Sequence, residues 1–167
     1  MKHISKLLVG VILAGSAQMV AMAADSQPGS LQISDAWIRA SAAGQSSGAG
    51  YLVITNKSAS PDRLLAASSP AAGRVELHTT ITEGGAAKMI EIKDVVIPAN
   101  GSAKFTPTGN HVMFLQLKGP FKDGEVVPVT LKFENAGETK VDFAVKPTTY
   151  NPGGAPAMQM RDHAGMK

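Results

Sequence analysis

The sequence predicts an all-β domain: an antiparallel sandwich or small barrel of about eight to nine short strands. Three observations predict it. Apolar and polar residues alternate in short runs that recur near every ten residues. Gly, Pro, Asn and Ser clusters with turn chemistry separate the runs. No stretch with a helical period of useful length lies outside the N-terminal leader, and no internal repeat is visible.

Taken in order, Asp25 to Ser30 is a polar lead-in with Pro28 and Gly29. Leu31 to Ala40 reads as a strand with Trp37 as a core plug, and the Ser/Gly/Ala-rich Ser41 to Gly50 as a loop. Tyr51 to Thr55 is an apolar strand ending at the Asn56-Lys57-Ser58 turn, and Arg63 to Ala67 is a short strand before Ser68-Ser69-Pro70. Arg74 to Thr80 alternates Val75, Leu77 and Thr79 against Glu76, His78 and Thr80, which puts His78 on the polar face. Gly84-Gly85 is a tight hairpin turn, and Lys88 to Pro98 is the return strand with Met89 at outward parity. Asn100-Gly101 is a further turn, and Ser102 to Thr106 a short strand. His111 to Leu117 follows, with His111, Met113, Leu115 and Leu117 on one face. Val126 to Glu134 and Thr139 to Val145 complete the set, with Asn135-Ala136-Gly137 as the turn between them. From Lys146 onward the chain is rich in Pro, Gly and Met and is expected to be disordered.

The N-terminus has the three regions of a secretory signal peptide: Lys2, His3 and Lys6, then apolar Leu7 to Ala14, then small residues at Ala21 to Ala24. Cleavage is expected after Ala23 or Ala24. This divides the chain into a signal peptide over 1–24, a domain over 25–146 and a Met/His-rich tail over 147–167. An uncleaved anchor over Leu7 to Ala24 is the alternative; Ser16, Gln18 and the Ala-rich exit count against it. With no cysteine to carry a lipid, the mature form is expected to be exported and soluble, free of disulfides and not membrane-embedded. The formal charge of +3 includes leader lysines, so the mature chain is near neutral. No basic run is interleaved with aromatics, which gives nucleic acid no electrostatic footprint.

Histidine and methionine are unevenly placed. Beyond the leader there are three histidines and five methionines, all of them either in the window His78 to Met113 or in the last ten residues. In the window, ten residues separate His78 from Met89, twenty-one separate Met89 from His111, and one separates His111 from Met113. Residues two apart on a strand share a face, with Cα atoms roughly 6.5–7 Å apart, so His111 and Met113 can reach one ion. His78 and Met89 flank the Gly84-Gly85 hairpin, and their outward side chains can join them. Neutral, polarizable thioether sulfur selects Cu(I), whereas imidazole accepts several metals. Zinc prefers Cys, His and carboxylate, and calcium or magnesium needs an oxygen cluster that this stretch lacks. A blue-copper centre is excluded, because it requires a cysteine thiolate and the chain has none. Taken singly, a strand Met is core filler and a lone His a satisfied surface or core residue. The joint pattern is what makes a metal site the sharper reading. Ser and Thr residues have no paired base, and Gly84-Gly85 has no phosphate-loop context, so no catalysed reaction is expected.

The same four positions carry a resemblance. Their spacing, together with Tyr51-Leu52-Val53-Ile54-Thr55-Asn56, Asp62-Arg63-Leu64-Leu65, Val75-Glu76-Leu77-His78 and Gly109-Asn110-His111-Val112-Met113, resembles the PCuAC-type periplasmic copper chaperones from about Leu31 to Val145. The resemblance implies a cupredoxin-like β-sandwich of Greek-key type with an exposed Cu(I) site built from His78, Met89, His111 and Met113. It also implies delivery of copper to a respiratory oxidase copper subunit, the copper centre of cytochrome c oxidase, alongside a thiol-bearing assembly factor. Ala86 and Ala87 stand where many members are richer in methionine, which removes an auxiliary thioether but leaves the signature whole. Met158, Met160, His163 and Met166 resemble the His/Met extensions of some members, a candidate second site that would also take Cu(II); an idle flexible tail is the equal alternative.

A copper storage or detoxification protein would use the same main site with no specific acceptor. A copper redox enzyme would need an open coordination position, and a metal-free adhesion module would bind no copper at all. Imidazole ligates only when neutral, so Cu(I) affinity is expected to fall between about pH 7.5 and 5. A flat profile in a competition titration over that range would remove the histidines from the ligand set.

Overall fold

Alternating apolar side chains give each strand a face that water disfavours, and the fold follows from covering those faces. The computed structural model describes residues 30–152. Among them are ten strands: β1 (Leu31–Arg39), β2 (Ser47–Asn56), β3 (Asp62–Ser68), β4 (Ala72–Glu83), β5 (Ala86–Glu91), β6 (Val95–Ile97), β7 (Ser102–Lys104), β8 (His111–Leu117), β9 (Val126–Phe133) and β10 (Glu138–Lys146). The described residues include no helix, so the all-β expectation holds. The return strand expected over Lys88 to Pro98 is two strands, β5 and β6, which accounts for the tenth.

The strand order is β5-β4-β8-β2-β1-β10-β9-β3-β6, with β7 also on β2. The path folds back so that β3 lies against β4, and β6 against β7 and β2. The inner faces meet in one cluster in which Ile38, Leu52, Phe114, Leu131, Phe133 and Phe143 are fully buried. Each such side chain contributes about 1.5–3 kcal/mol by leaving water. The terminal strands β5 and β6 do not pair with each other, so the sheet is an open sandwich and not the barrel that was the alternative. The two edges are blunted: β6 has three residues, and β5 carries exposed Lys88 and Glu91.

One pairing departs from the antiparallel expectation. β1 and β10 run parallel, with Trp37 opposite Ala144 and Ile38 opposite Val145. A parallel pair needs a long connection between its strands, and nearly the whole domain separates β1 from β10 here. Apolar alternation marks a strand's faces and says nothing about its partner's direction.

The Ser/Gly/Ala-rich stretch expected as a loop up to Gly50 is strand from Ser47 onward. Gly50 stands opposite Ile38 of β1 and Val112 of β8, where large side chains press on its backbone. A Cβ there would lie 3.0 Å from Phe114, 3.2 Å from Phe143 and 3.3 Å from Ile38. The glycine marks close approach of rings to a backbone rather than a flexible loop.

Two buried polar side chains tie the connections. The Asp62 carboxylate accepts backbone N–H bonds from Arg63, Asn135 and Ala136 at 2.7, 3.0 and 3.0 Å, which fixes the β9–β10 turn. Asn56 donates to the Ser60 carbonyl at 2.8 Å and accepts from Ser58 N–H at 2.9 Å. Both lie in segments that carried the family resemblance, and both act in the framework.

The disorder expected from Lys146 onward does not begin there. Arg39 Nη1 donates to the Thr148 carbonyl, and the Tyr150 ring meets Trp37 edge-on at 4.9 Å. These contacts tie Thr148 and Tyr150 back to β1. The leader over 1–24 and the residues Met158, Met160, His163 and Met166 lie outside the described residues.

Filling the space at residue 50 is expected to be costly, because three packed side chains would have to shift. G50A should lower stability by about 1–3 kcal/mol in urea unfolding; an unchanged midpoint would show that the rings yield freely.

Candidate metal centre

The register of three neighbouring strands builds the site. β4 and β8 pair so that His78 stands opposite His111 and Glu76 opposite Met113. β4 and β5 pair so that Met89 stands opposite Thr80 and Glu91 opposite His78. Paired residues share a face and alternate residues return to it. All four candidate positions therefore lie on one outer face of β5-β4-β8. Leu77 and Val112, one step along from the histidines, fill the opposite face and are buried in the core. Met89 is the diagonal neighbour of His78 across the hairpin that Gly84 and Gly85 close, both with positive φ. Such diagonal neighbours sit about 7–8 Å apart, within reach of long side chains.

Burial is graded along this face. His111 is 3% exposed and Met89 is 61% exposed, with His78 and Met113 between them. The thioether of β5 faces outward, while the imidazole of β8 is enclosed. Gly48, Ala49 and Tyr51 of β2 flank β8 and help cover it. The outer face of β8 is covered from the side by its own sheet neighbour.

The imidazole rings lie with centroids 5.8 Å apart, tilted at 59°. Each has one nitrogen engaged. His78 Nε2 is 2.7 Å from Glu76 Oε2, and His111 Nδ1 is 3.0 Å from the Gly109 carbonyl. A carboxylate and a carbonyl only accept, so each engaged nitrogen carries a proton, and in the neutral imidazole the other nitrogen holds the lone pair. Those other nitrogens, His78 Nδ1 and His111 Nε2, are buried and have no hydrogen-bond partner among the described residues. Leaving a buried polar atom unsatisfied costs about 1–3 kcal/mol, so each of these nitrogens is a place for an ordered water or a ligand.

Met89, His111 and Met113 also line one cleft of about 290 Å³, together with Tyr51, Arg39 and Pro107. His78 lies outside that lining and meets the site through its ring beside His111. Among the described residues no group of three or more His, Cys, Asp or Glu side chains converges. The two thioethers on the same face are the soft donors nearest that histidine pair in strand register. The site residues expected from the sequence are brought to one face, and the tail set falls outside the described residues.

Two contributors were missed in the sequence. Glu76 is two residues before His78, so strand parity alone puts it on the same face. Tyr51, read as packing, does pack at 4.5 Å from Trp37, yet it also lines the cleft and lies 6.5 Å from the His111 ring. No local signal links Tyr51 to His111, because β2 meets β8 only through tertiary pairing. Trp37 is buried as expected, but on this outer face with Tyr51 rather than in the inner cluster.

An open, all-β sandwich with paired imidazoles and thioethers on one outer face belongs to the cupredoxin-like class, and among solved structures its fold is that of the PCuAC domain. The chain is a member of the LpqE-like family: the family described as putative lipoprotein LpqE-like matches residues 31–145. It is 34% identical over 137 residues to the putative lipoprotein Lxx21020 of Leifsonia xyli subsp. xyli (strain CTCB07), covering 81% of this chain and 79% of that protein. It is similar to the copper-bound PCuAC domain of PmoF2 with a TM-score of 0.62 at 26% identity, covering 71% of this chain and 94% of that one. It is also similar to Cu(I)-DR1885 from Deinococcus radiodurans, with a TM-score of 0.55 at 33% identity and coverage of 74% and 85%.

Burial pushes the Tyr51 phenol above its ordinary range, and the Arg39 charge opposes that shift in part. Because the folded phenol resists ionisation, its share of stability is complete below about pH 10 and is lost as pH rises through the folded value. Arg39→Met should move the phenol higher still in an ultraviolet pH titration. An unmoved phenol would mean that Arg39 does not act on the ring's oxygen.

Proposed function

We propose that this protein is an exported copper carrier that holds Cu(I) through His78 Nδ1, His111 Nε2 and the sulfurs of Met89 and Met113, and passes the ion to an acceptor protein. The observation that carries the reading is the pair of buried, unpartnered imidazole nitrogens. Each ring is oriented by a hydrogen bond at its other nitrogen, as metal-bound histidines are. The thioethers on the same face supply soft neutral donors, which select Cu(I) over zinc, calcium or magnesium. Similarity to a PCuAC domain with copper bound and to the Cu(I) form of DR1885 supports the choice of ion.

The gradient of exposure suits a carrier. Enclosed imidazoles retain the ion, while exposed Met89 on the edge strand is the ligand an incoming donor can replace. A site without thiolate does not depend on cysteines that would oxidise outside the cytoplasm. Family resemblance makes the copper subunit of a respiratory oxidase the proposed acceptor, with a thiol-bearing assembly factor beside it. On the same reading the leader directs export to the periplasm, and Met158, Met160, His163 and Met166 form a second site for Cu(I) or Cu(II).

Anaerobic Cu(I) titration of the mature chain against a competing chelator tests the main site. The wild type should bind one ion there, and the Met89→Ala, Met113→Ala double variant should lose affinity. The loss should be at least the roughly 10–100-fold typical when a ligand's supporting hydrogen bond is removed. Equal binding by the double variant would exclude the thioethers. Transfer separates carriage from storage: mixing the loaded protein with an apo oxidase copper subunit should move copper stoichiometrically. Retention of the metal would favour storage.

A further inference from the structure

We propose that Glu76 is a positioning residue, which sets the nitrogen that His78 offers to the metal; this rests on the Cu(I) reading above. Glu76 lies between two basic groups. Its Oε1 is 2.6 Å from Arg74 Nε and its Oε2 is 2.7 Å from His78 Nε2. The side chains of Glu76 and His78 are 11% and 15% exposed, so this contact is largely shielded from water. Arg74, at 66% exposed, grips the carboxylate from the solvent side.

The histidines are held by unlike means. His111 is oriented by the backbone carbonyl of Gly109, which no side-chain substitution removes. His78 is oriented by a side chain alone. An imidazole can turn about its bond to Cβ and present either nitrogen, so without a fixed partner its donor atom is undetermined. The Glu76 carboxylate accepts and cannot donate, which holds the proton at Nε2 and leaves the lone pair on Nδ1. That atom is the buried one without a partner. A carboxylate behind an imidazole also strengthens its donor nitrogen, as in the carboxylate–histidine–metal arrangement of other sites. Glu76 is the register partner of Met113, so its backbone position is tied to a second proposed ligand.

The test combines nitrogen NMR of the apo and Cu(I)-loaded full chain with Cu(I) competition titrations of wild type, Glu76→Gln and Glu76→Ala. In the apo wild type, His78 should show a hydrogen-bonded Nε2–H and a bare Nδ1, and on loading the Nδ1 resonance should shift. Glu76→Ala should lose the protected Nε2–H signal and about 10–100-fold in affinity. Glu76→Gln keeps an acceptor oxygen without the charge and should recover part of both. The Nδ1–H of His111 is the internal control, since a general collapse of the fold would move it too. The inference is overturned if apo His78 carries its proton on Nδ1, if copper binds His78 through Nε2, or if Glu76→Ala matches the wild type. Failure of the wild type to bind Cu(I) would overturn the carrier reading instead, while the apo spectra would still decide the orientation of His78.

Discussion

The pairing of β4 with β8 is the constraint on which the rest depends. It sets Leu77 beside Val112 on the inner face and His78 beside His111 on the outer face, in one register. A slip of one residue on either strand would turn its apolar residues to solvent and its histidine into the core. The apolar face therefore fixes the polar one.

On the proposed reading, that arrangement separates retention from exchange along a single face. The imidazole of β8 sits deep because the sheet continues beyond it through β2 and β1. The thioether of β5 is exposed because the sheet ends there. On the proposed reading, the position of each strand in the sheet sets how readily its ligand can be replaced. No moving part is needed for an edge ligand to be reached.

The outer face is itself a built layer. Trp37 and Tyr51 stand opposite each other across β1 and β2, with Tyr150 folded back on Trp37 and the His111 ring beyond Tyr51. A residue expected as a core plug instead packs in the layer beside the site. The irregularity in β1 between Ser34 and Trp37, where Asp35 adopts a positive φ, accompanies this placement. Among the described residues after β10, Tyr150 joins the same aromatic row.

Much of this protein was determined locally and was legible in the sequence. Alternation over Arg74 to Thr80 and His111 to Leu117 assigned faces, because a strand's side chains have a period of two. Gly84-Gly85 placed the hairpin that brings Met89 back beside β4, because both positions need positive φ. Spacing within one strand joined His111 to Met113. What crosses between distant strands was decided by the tertiary structure alone. The contact of His78 with His111, the approach of Tyr51 to His111, the parallel pairing of β1 with β10 and the ring-crowded glycine at position 50 all depend on which strands meet. Partner choice is settled by the packing of whole inner faces, a sum over many side chains that no single stretch of chain contains.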